Sequence, residues 1–310
     1  MSQSTTLIKN DDAVMRIALM GGAYGNVPAL QACLADAASQ HCTHHAFLGD
    51  AIGCCGHSPE ILDLVRSKFD VVVAGNHEQQ AAAGEVSCGC GYSSPQDEQA
   101  SCDAFAYACG GLSHQHRAWL ATWPDVHRLQ TPSGTILLCH GSPRTTNEFL
   151  YESAFDASRH QLLGLDSQVA GFVCTHSGLP WLYKTPDSKF AANCGVVGKP
   201  DHDGDTAVHY LILQANSMGI EMNIRRVVYN HQAWAAQLRQ EGVGGIFIEP
   251  LLTGIWTVGV CSLPAAERAV QPRPISGGTE LRLKRPPQLC QHLASAVAQP
   301  VPSQAAQRDG

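Results

Sequence analysis

The feature that most restricts how this chain can fold is a repeated transition. A short apolar run ends on a glycine or a small polar motif, and a helical pattern begins a few residues later. Residues 15–20, 45–49 and 69–74 read as strands, with helices at about 28–40 and 58–67 between them. Strands alternating with helices of this length signal an α/β fold with parallel pairing, because parallel neighbours need a crossover. A Gly/Ser-rich loop at 84–95 precedes a helical region at about 97–123, then a strand at 135–139, a helix near 154–164 and a strand at 169–173. From 180 to 230 the writing turns to β, at 181–183, 190–192, 207–213 and 220–228, which implies a second sheet. Residues 231–242 are helical, and 251–261 are apolar enough to pack back on the core.

The expected organisation is therefore a flexible N-terminus at 1–14, one domain over 15–265 with a helical and apolar extension from about 230, and a tail at 266–310. That tail is rich in Pro, Gln, Ser and Ala, so it is expected to be mostly disordered. A chain of 310 residues, 44% hydrophobic, has ample material for such a core.

A formal net charge of −7 with no Lys/Arg block argues against a protein that grips nucleic acid by its phosphates. The N-terminus lacks a basic start followed by an apolar segment, and no apolar run approaches membrane-spanning length, so no membrane association and a cytoplasmic location are expected. Thirteen cysteines, none in CxxC pairs, fit neither a zinc ribbon nor a disulfide framework, and most read as small buried hydrophobes. The His-rich run His41-Cys42-Thr43-His44-His45 precedes a strand, whereas sites in α/β sheets gather at strand carboxyl ends; it reads as a surface turn.

Four motifs stand at those carboxyl ends: Gly49-Asp50, Gly75-Asn76-His77-Glu78, Cys139-His140-Gly141-Ser142 and Cys174-Thr175-His176-Ser177. Each alone is a common loop. Together they offer a carboxylate, an amide oxygen and two imidazoles, a donor set suited to a divalent transition ion such as Mn, Fe, Ni or Zn.

In this order the motifs resemble the calcineurin-like metallophosphoesterases, whose pattern is DxH, GDxxG, GNH[DE], HGS and GHTHxP. The chain shows GDAIG at 49–53, GNHE at 75–78, HGS at 140–142 and a last motif from Thr175 to Pro180. NCGVVGKPDHDGD at 193–205 resembles the family's Asn-x-Gly-x-x-Gly-x-Pro loop, and the likeness spans roughly residues 15–230. CGCGY at 88–92 and the stretch 140–153 resemble one bacterial branch. The resemblance implies a four-layer α/β/β/α sandwich with two central mixed sheets.

It also exposes a gap. LMGGAYGN at 19–26 aligns with the family's strand and SDxHGN, so Gly22 stands where a metal-binding Asp is expected and Tyr24 where a His is expected. In the last motif Gly178 replaces the second His. The private ligands of one ion are thus lost. Those of the other remain, and the resemblance implies a single ion held by Asp50, Asn76, His140 and His176, with His77 as general acid. Gly22 is expected to leave the ligand's space empty, and Tyr24 to put a phenol where an imidazole would reach.

Other residues stay open. Cys54, Cys55 and His57 could refill the lost site or form a plain turn; Arg144 and Asn147 could face a substrate phosphate or sit on the surface; Cys88, Cys90 and Tyr92 read as a loop over the site's mouth. The expected activity is metal-dependent hydrolysis of a phosphate mono- or diester, with reduced rate, on a phosphorylated small molecule or phosphoprotein. The alternative is an inactive relative that binds a phosphorylated ligand or a protein partner.

Overall fold

In the computed structural model, residues 3–7, 14–92, 94–270 and 280–284 are described. Strand β1 spans Gln3–Leu7 and β2 Val14–Met20; α1 follows at Val27–Ser39, then β3 His44–Phe47, α2 Ser58–Lys68, β4 Val71–Val72 and α3 Asn76–Ala83. Next come α4 Pro95–Gly110, α5 His114–Leu120, β5 Val126–Thr131, β6 Gly134–Cys139, α6 Glu152–Gly164 and β7 Val169–Cys174. The chain continues through β8 Trp181–Lys184, β9 Phe190–Asn193, β10 Val208–Asn216, β11 Gly219–Val227, α7 His231–Gln240, α8 Gly245–Thr253, α9 Ala265–Arg268 and β12 Glu280–Lys284.

Two six-stranded mixed sheets result, in the orders β1-β5-β6-β7-β9-β8 and β12-β11-β10-β2-β3-β4. The sequence placed the β-rich stretch 180–230 in a second sheet. Instead β8 and β9 complete one sheet, while β10 crosses over to pair antiparallel with β2 in the other. Alternation along β2 explains the layering. Ile17 and Leu19 enter a core shared with Ile136, Leu138 and Val173 of the facing sheet, while Ala18 and Met20 point to α1 and α2, beside Leu30 and Ile61. On the far side Leu137, Cys139 and Phe172 pack against Phe155 and Leu162 of α6. Helix, sheet, sheet and helix are therefore stacked on three cores, the four-layer arrangement expected from the motifs.

Three edges depart from expectation. The segment Gln3–Leu7, expected to be flexible, pairs parallel with β5, and Glu280–Lys284, expected within a disordered tail, pairs antiparallel with β11 and buries Leu283 in the inter-sheet core. Their short Thr-rich and charged sequences carry a weak signal alone and are stabilised by the ladder they join. Residues 285–310 lie outside the described residues. The strand expected at 69–74 forms a ladder only over Val71–Val72, because the Ala74 N–H turns away to the Pro124 carbonyl, 2.8 Å. The helical region expected at 97–123 breaks at Gly110-Gly111, and α5 restarts under a Ser113 cap.

The carboxyl ends of β2, β3, β6 and β7 deliver the loops 21–26, 48–52, 140–142 and 175–180 to one end of the sandwich. Asn26 secures the first of them: its side chain caps α1 through the Ala29 N–H and donates to the Gly198 carbonyl, 2.9 Å. The His-rich run at 41–45 sits at the opposite end of β3, and among the described residues it joins no cluster of metal-ligand atoms.

Candidate metal centre

The turn after β3 is built to aim one carboxylate. Gly49 and Asp50 are both left-handed (φ 90° and 57°), and a Cβ at residue 49 would come 2.3 Å from the Gly75 nitrogen and 2.8 Å from His140 Nδ1, so only glycine allows this approach. Glu78 clamps the turn from below. Its buried carboxylate accepts from the backbone N–H groups of Gly75 (2.8 Å), Asp50 (2.7 Å) and Ala51 (2.9 Å), tying the GD turn to the start of α3. Burial and the neighbouring Asp50 charge raise the Glu78 pKa. The sequence offered this glutamate only as the last letter of a motif; its role is positional.

His140 donates from Nδ1 to the Leu48 carbonyl at 2.6 Å, which leaves Nε2 as the lone-pair nitrogen when the ring is neutral. That Nε2 lies 3.3 Å from Asp50 Oδ2 and 3.0 Å from His176 Nδ1. Among the described residues Asp50, His140 and His176 form one of two groups whose ligand atoms all lie within 4.8 Å of one another. All three are buried. Three electron-pair donors converging on a buried point repel one another unless a cation or a shared proton sits between them. The titrations reflect this. Burial pulls the His140 pKa down and the Asp50 charge more than restores it, so it rises; burial and the nearby His140 push His176 down to about 3. The Asp50 carboxyl resists the upward push of burial and is held below its usual range by His140 and His77.

Asn76 stands at the start of α3. Its Nδ2 donates to the Cys88 carbonyl at 2.8 Å and to Cys90 Sγ at 3.3 Å, which fixes the amide's orientation, while its buried Oδ1 has no hydrogen-bond partner. An orphaned buried amide oxygen is costly, about 1–3 kcal/mol, and a cation would satisfy it. The Cys88-Gly89-Cys90 loop, in which the two cysteines are disulfide-bonded, is thus what orients this oxygen. His77 donates from Nδ1 to the Ile52 carbonyl, 2.8 Å, and its Nε2 lies 3.4 Å from Cys90 Sγ. A cavity of about 80 Å³ is lined by Asp50, His77 and His176 together with Tyr24, Cys90 and Lys199.

The sequence model of the family described as calcineurin-like phosphoesterase matches residues 15–219. The chain belongs to the calcineurin-like phosphoesterase family. Among solved structures it resembles a metallophosphoesterase from Sphaerobacter thermophilus, 23% identical with a TM-score of 0.60, and a hypothetical protein from Pyrococcus horikoshii, 16% identical with a TM-score of 0.64. Each alignment covers 78% of this chain and all of the other. No curated protein matches the chain. The family's general chemistry is metal-dependent cleavage of phosphoesters on divalent ions, and the Asp50 cluster fits such an ion. No helix among the described residues is long and apolar enough to cross a membrane.

Around residues 22 and 178 the fold has closed in. Gly22 does not leave its ligand position empty, as the sequence suggested: it is left-handed (φ 56°), and a Cβ there would meet Val196 Cγ1 at 2.3 Å and the Tyr24 hydroxyl at 3.1 Å. Gly178 is also left-handed, and its Cβ would press on the Trp256 ring at 3.2 Å. Tyr24 lines the cavity, and burial together with the Asp50 charge raises its phenol pKa.

The remaining candidates sort by position. Cys54 and Cys55 line the cavity with their sulfurs 3.5 Å apart, yet among the described residues neither belongs to a group of three clustered ligand atoms. His57 turns away to Glu241, Nε2 to Oε2 2.5 Å, and does not line the cavity. Arg144 and Asn147 do not line the cavity either. Arg144 forks onto Glu148 and reaches Gln161 Oε1 at 2.9 Å, while the Asn147 side chain donates to the Gly89 carbonyl at 3.0 Å. Both serve the loop after β6, whose Glu148 needs a counter-charge. Cys90 and Tyr92 do line the cavity, as a loop over its mouth would. Sequence reasoning missed Lys199 and Trp256, which line the cavity from 193–205 and from beyond the matched residues, and Val196, which packs on residues 22 and 178.

Proposed function

We propose that the chain is a mononuclear metal-dependent phosphoesterase that hydrolyses a phosphate mono- or diester of a small molecule. In this reading Asp50, Asn76, His140 and His176 hold the ion. The observation that supports it most is the convergence of three buried ligand atoms, of Asp50, His140 and His176, within 4.8 Å of one another, with Asp50 and His176 lining a cavity that His77 also lines. A divalent ion there would polarise a phosphoryl oxygen and acidify the attacking water.

The chain's own groups do the rest. Asp50 supplies the charge that favours a cation, and the Leu48 and Ile52 carbonyls fix which nitrogen of His140 and of His77 is free. His77 in its doubly protonated form is the proton donor to the ester's leaving oxygen: Nδ1–H stays on the Ile52 carbonyl, and the proton given up is the one on Nε2, on the side of cavity-lining Cys90. A cavity of about 80 Å³, walled on one side by Ile246, Phe247 and Trp256, favours a small phosphorylated molecule over a folded phosphoprotein.

The test is hydrolysis of p-nitrophenyl phosphate and bis(p-nitrophenyl) phosphate by the full chain loaded with Mn, Fe, Ni or Zn. Ion-dependent turnover is expected. His77→Gln should lower kcat by about 10²-fold or more with the ion count unchanged. A protein that holds its ion but turns over neither ester with any of these metals overturns the reading in favour of a non-catalytic binder of a phosphorylated ligand.

A further inference from the structure

We infer that Lys199 is a phosphoryl-binding residue whose ammonium supplies, as a fixed part of the protein, the positive charge that the missing ion would bring to this side of the cavity. The inference deepens the proposed function and rests on it for the identity of the ligand. It starts from an unusual placement. Lys199 lines the same cavity as Asp50, His77 and His176, yet among the described residues no hydrogen-bond acceptor or salt-bridging carboxylate holds its ammonium. Its Nζ instead lies 3.7 Å over the Trp256 ring and 5.8 Å from the Tyr24 ring centroid. Aromatic faces orient a cation without neutralising it; burial pulls the Lys199 pKa down and the neighbouring Cys54, Cys55 and Asp50 oppose that, and the N–H donors remain available to an anion in the cavity.

The surrounding backbone shows that this is a built position. Val197 and Gly198 donate to the carbonyls of Gly21 and Gly22 at 3.0 and 2.9 Å, locking the Lys199 loop onto the very turn that lacks its ligands. A Cβ at Gly198 would meet the Ala23 carbonyl oxygen at 2.3 Å, so the two strands of chain touch. On the other flank Trp256 donates from its indole nitrogen to the Pro200 carbonyl at 2.5 Å and from its backbone to His202 Nδ1 at 2.8 Å. Lys199 is thus held on both sides, and the residues that crowd the old ligand positions at 22 and 178 are Val196, Tyr24 and Trp256, its own loop and its two aromatic neighbours.

Charge supports the same reading. A divalent ion with one private carboxylate presents about one net positive charge to a phosphate. Here residues 22, 24 and 178 are Gly, Tyr and Gly, all neutral, and Lys199 brings one positive charge with no private carboxylate. The cavity keeps its attraction for a phosphoryl group while needing only one ion. Lysine suits the part as a compact point charge that can follow oxygens as they move toward the transition state.

The test is binding of inorganic phosphate to the full chain by titration calorimetry, metal-loaded, in wild type, Lys199→Met and Lys199→Arg. Lys199→Met should weaken phosphate binding by about tenfold to a hundredfold with the tightly held ion count unchanged, and Lys199→Arg should retain part of the affinity. A second readout needs no variant: phosphate should protect Lys199 of the wild type from reductive methylation, read by mass spectrometry. Wild type that binds no phosphate, Lys199→Met binding within about twofold of wild type, or labelling indifferent to phosphate would each overturn the inference. Ester turnover is a separate reading. Lys199-dependent phosphate binding without turnover removes the enzyme proposal and leaves Lys199 standing, whereas turnover with Lys199-independent binding does the reverse.

Discussion

The Asp50 side of the cavity and the Gly22 side are both built on a turn at the carboxyl end of a strand, and they are filled by different means. On the Asp50 side three lone-pair atoms and an orphaned amide oxygen are held apart by Glu78, Leu48 and the Cys88 carbonyl, so the space between them suits a cation. On the Gly22 side the ligands are absent and the space is occupied, by Val196 at residue 22 and Trp256 at residue 178. The difference teaches that two turns of one kind can be finished in opposite ways. Residues 22 and 178 are packed against Val196 and Trp256, while Tyr24, Trp256 and Lys199 line the same cavity as Asp50.

Breaking the Asp50 side should give the largest effect. Asp50→Asn removes its only clustered carboxylate, and the full chain should fall from about one tightly bound ion to none by elemental analysis, with affinity down by about 100-fold or more. Next is the attempt to reverse the other side. Gly22→Asp puts a side chain into Val196 at a left-handed residue, so it should destabilise by about 1–3 kcal/mol and lower Tm by several degrees without adding an ion. A stable Gly22→Asp protein with a second ion would show that the space is still open.

Glu78→Gln sharpens the same contrast from beneath. The amide nitrogen cannot accept from the Gly75, Asp50 and Ala51 N–H groups as the carboxylate does, and a loss of about 1–3 kcal/mol together with about tenfold weaker ion binding is expected in denaturant and metal titrations.

The smallest effect concerns the anchor of the Lys199 loop. His209 Nδ1 lies 2.8 Å from Asp201 Oδ2. Burial pulls the His209 pKa down, while Asp201, helped by Asp203 and Asp205, raises it above the ordinary value. A raised folded pKa stabilises fully below the unfolded value, about 6.5, and that stabilisation is lost as pH rises through the folded value. Wild type should therefore lose more stability between pH 6 and pH 8 than His209→Gln, by thermal melts; equal slopes would remove this pair from the account.

How far the sequence could be read follows the locality of each signal. Asp50, His140 and His176 each sit in a motif directly after a strand, so the motifs that carry their cluster were legible from short stretches. The orphaned Oδ1 of Asn76 was not, because it depends on the Cys88 carbonyl twelve residues away. Val196, Lys199 and Trp256 were silent for a stronger reason: nothing in GVVGKP or GIWTVG says that Val196 and Trp256 meet at residue 178 or that Lys199 lies over the Trp256 ring. Arg144 was misleading since a guanidinium after HGS suits a phosphate, and only the fold shows that Glu148 takes it. The edge strands β1 and β12 were missed because their pairing, more than their own residues, makes them strands.

The most direct test of this contrast is the anomalous difference density of a crystal soaked in Mn. One peak per chain within coordinating distance of Asp50, Asn76, His140 and His176, with none between Tyr24 and Lys199, is the predicted result. A second peak beside Tyr24 and Lys199 would contradict it, since an ion cannot share that space with the ammonium that is held to replace it.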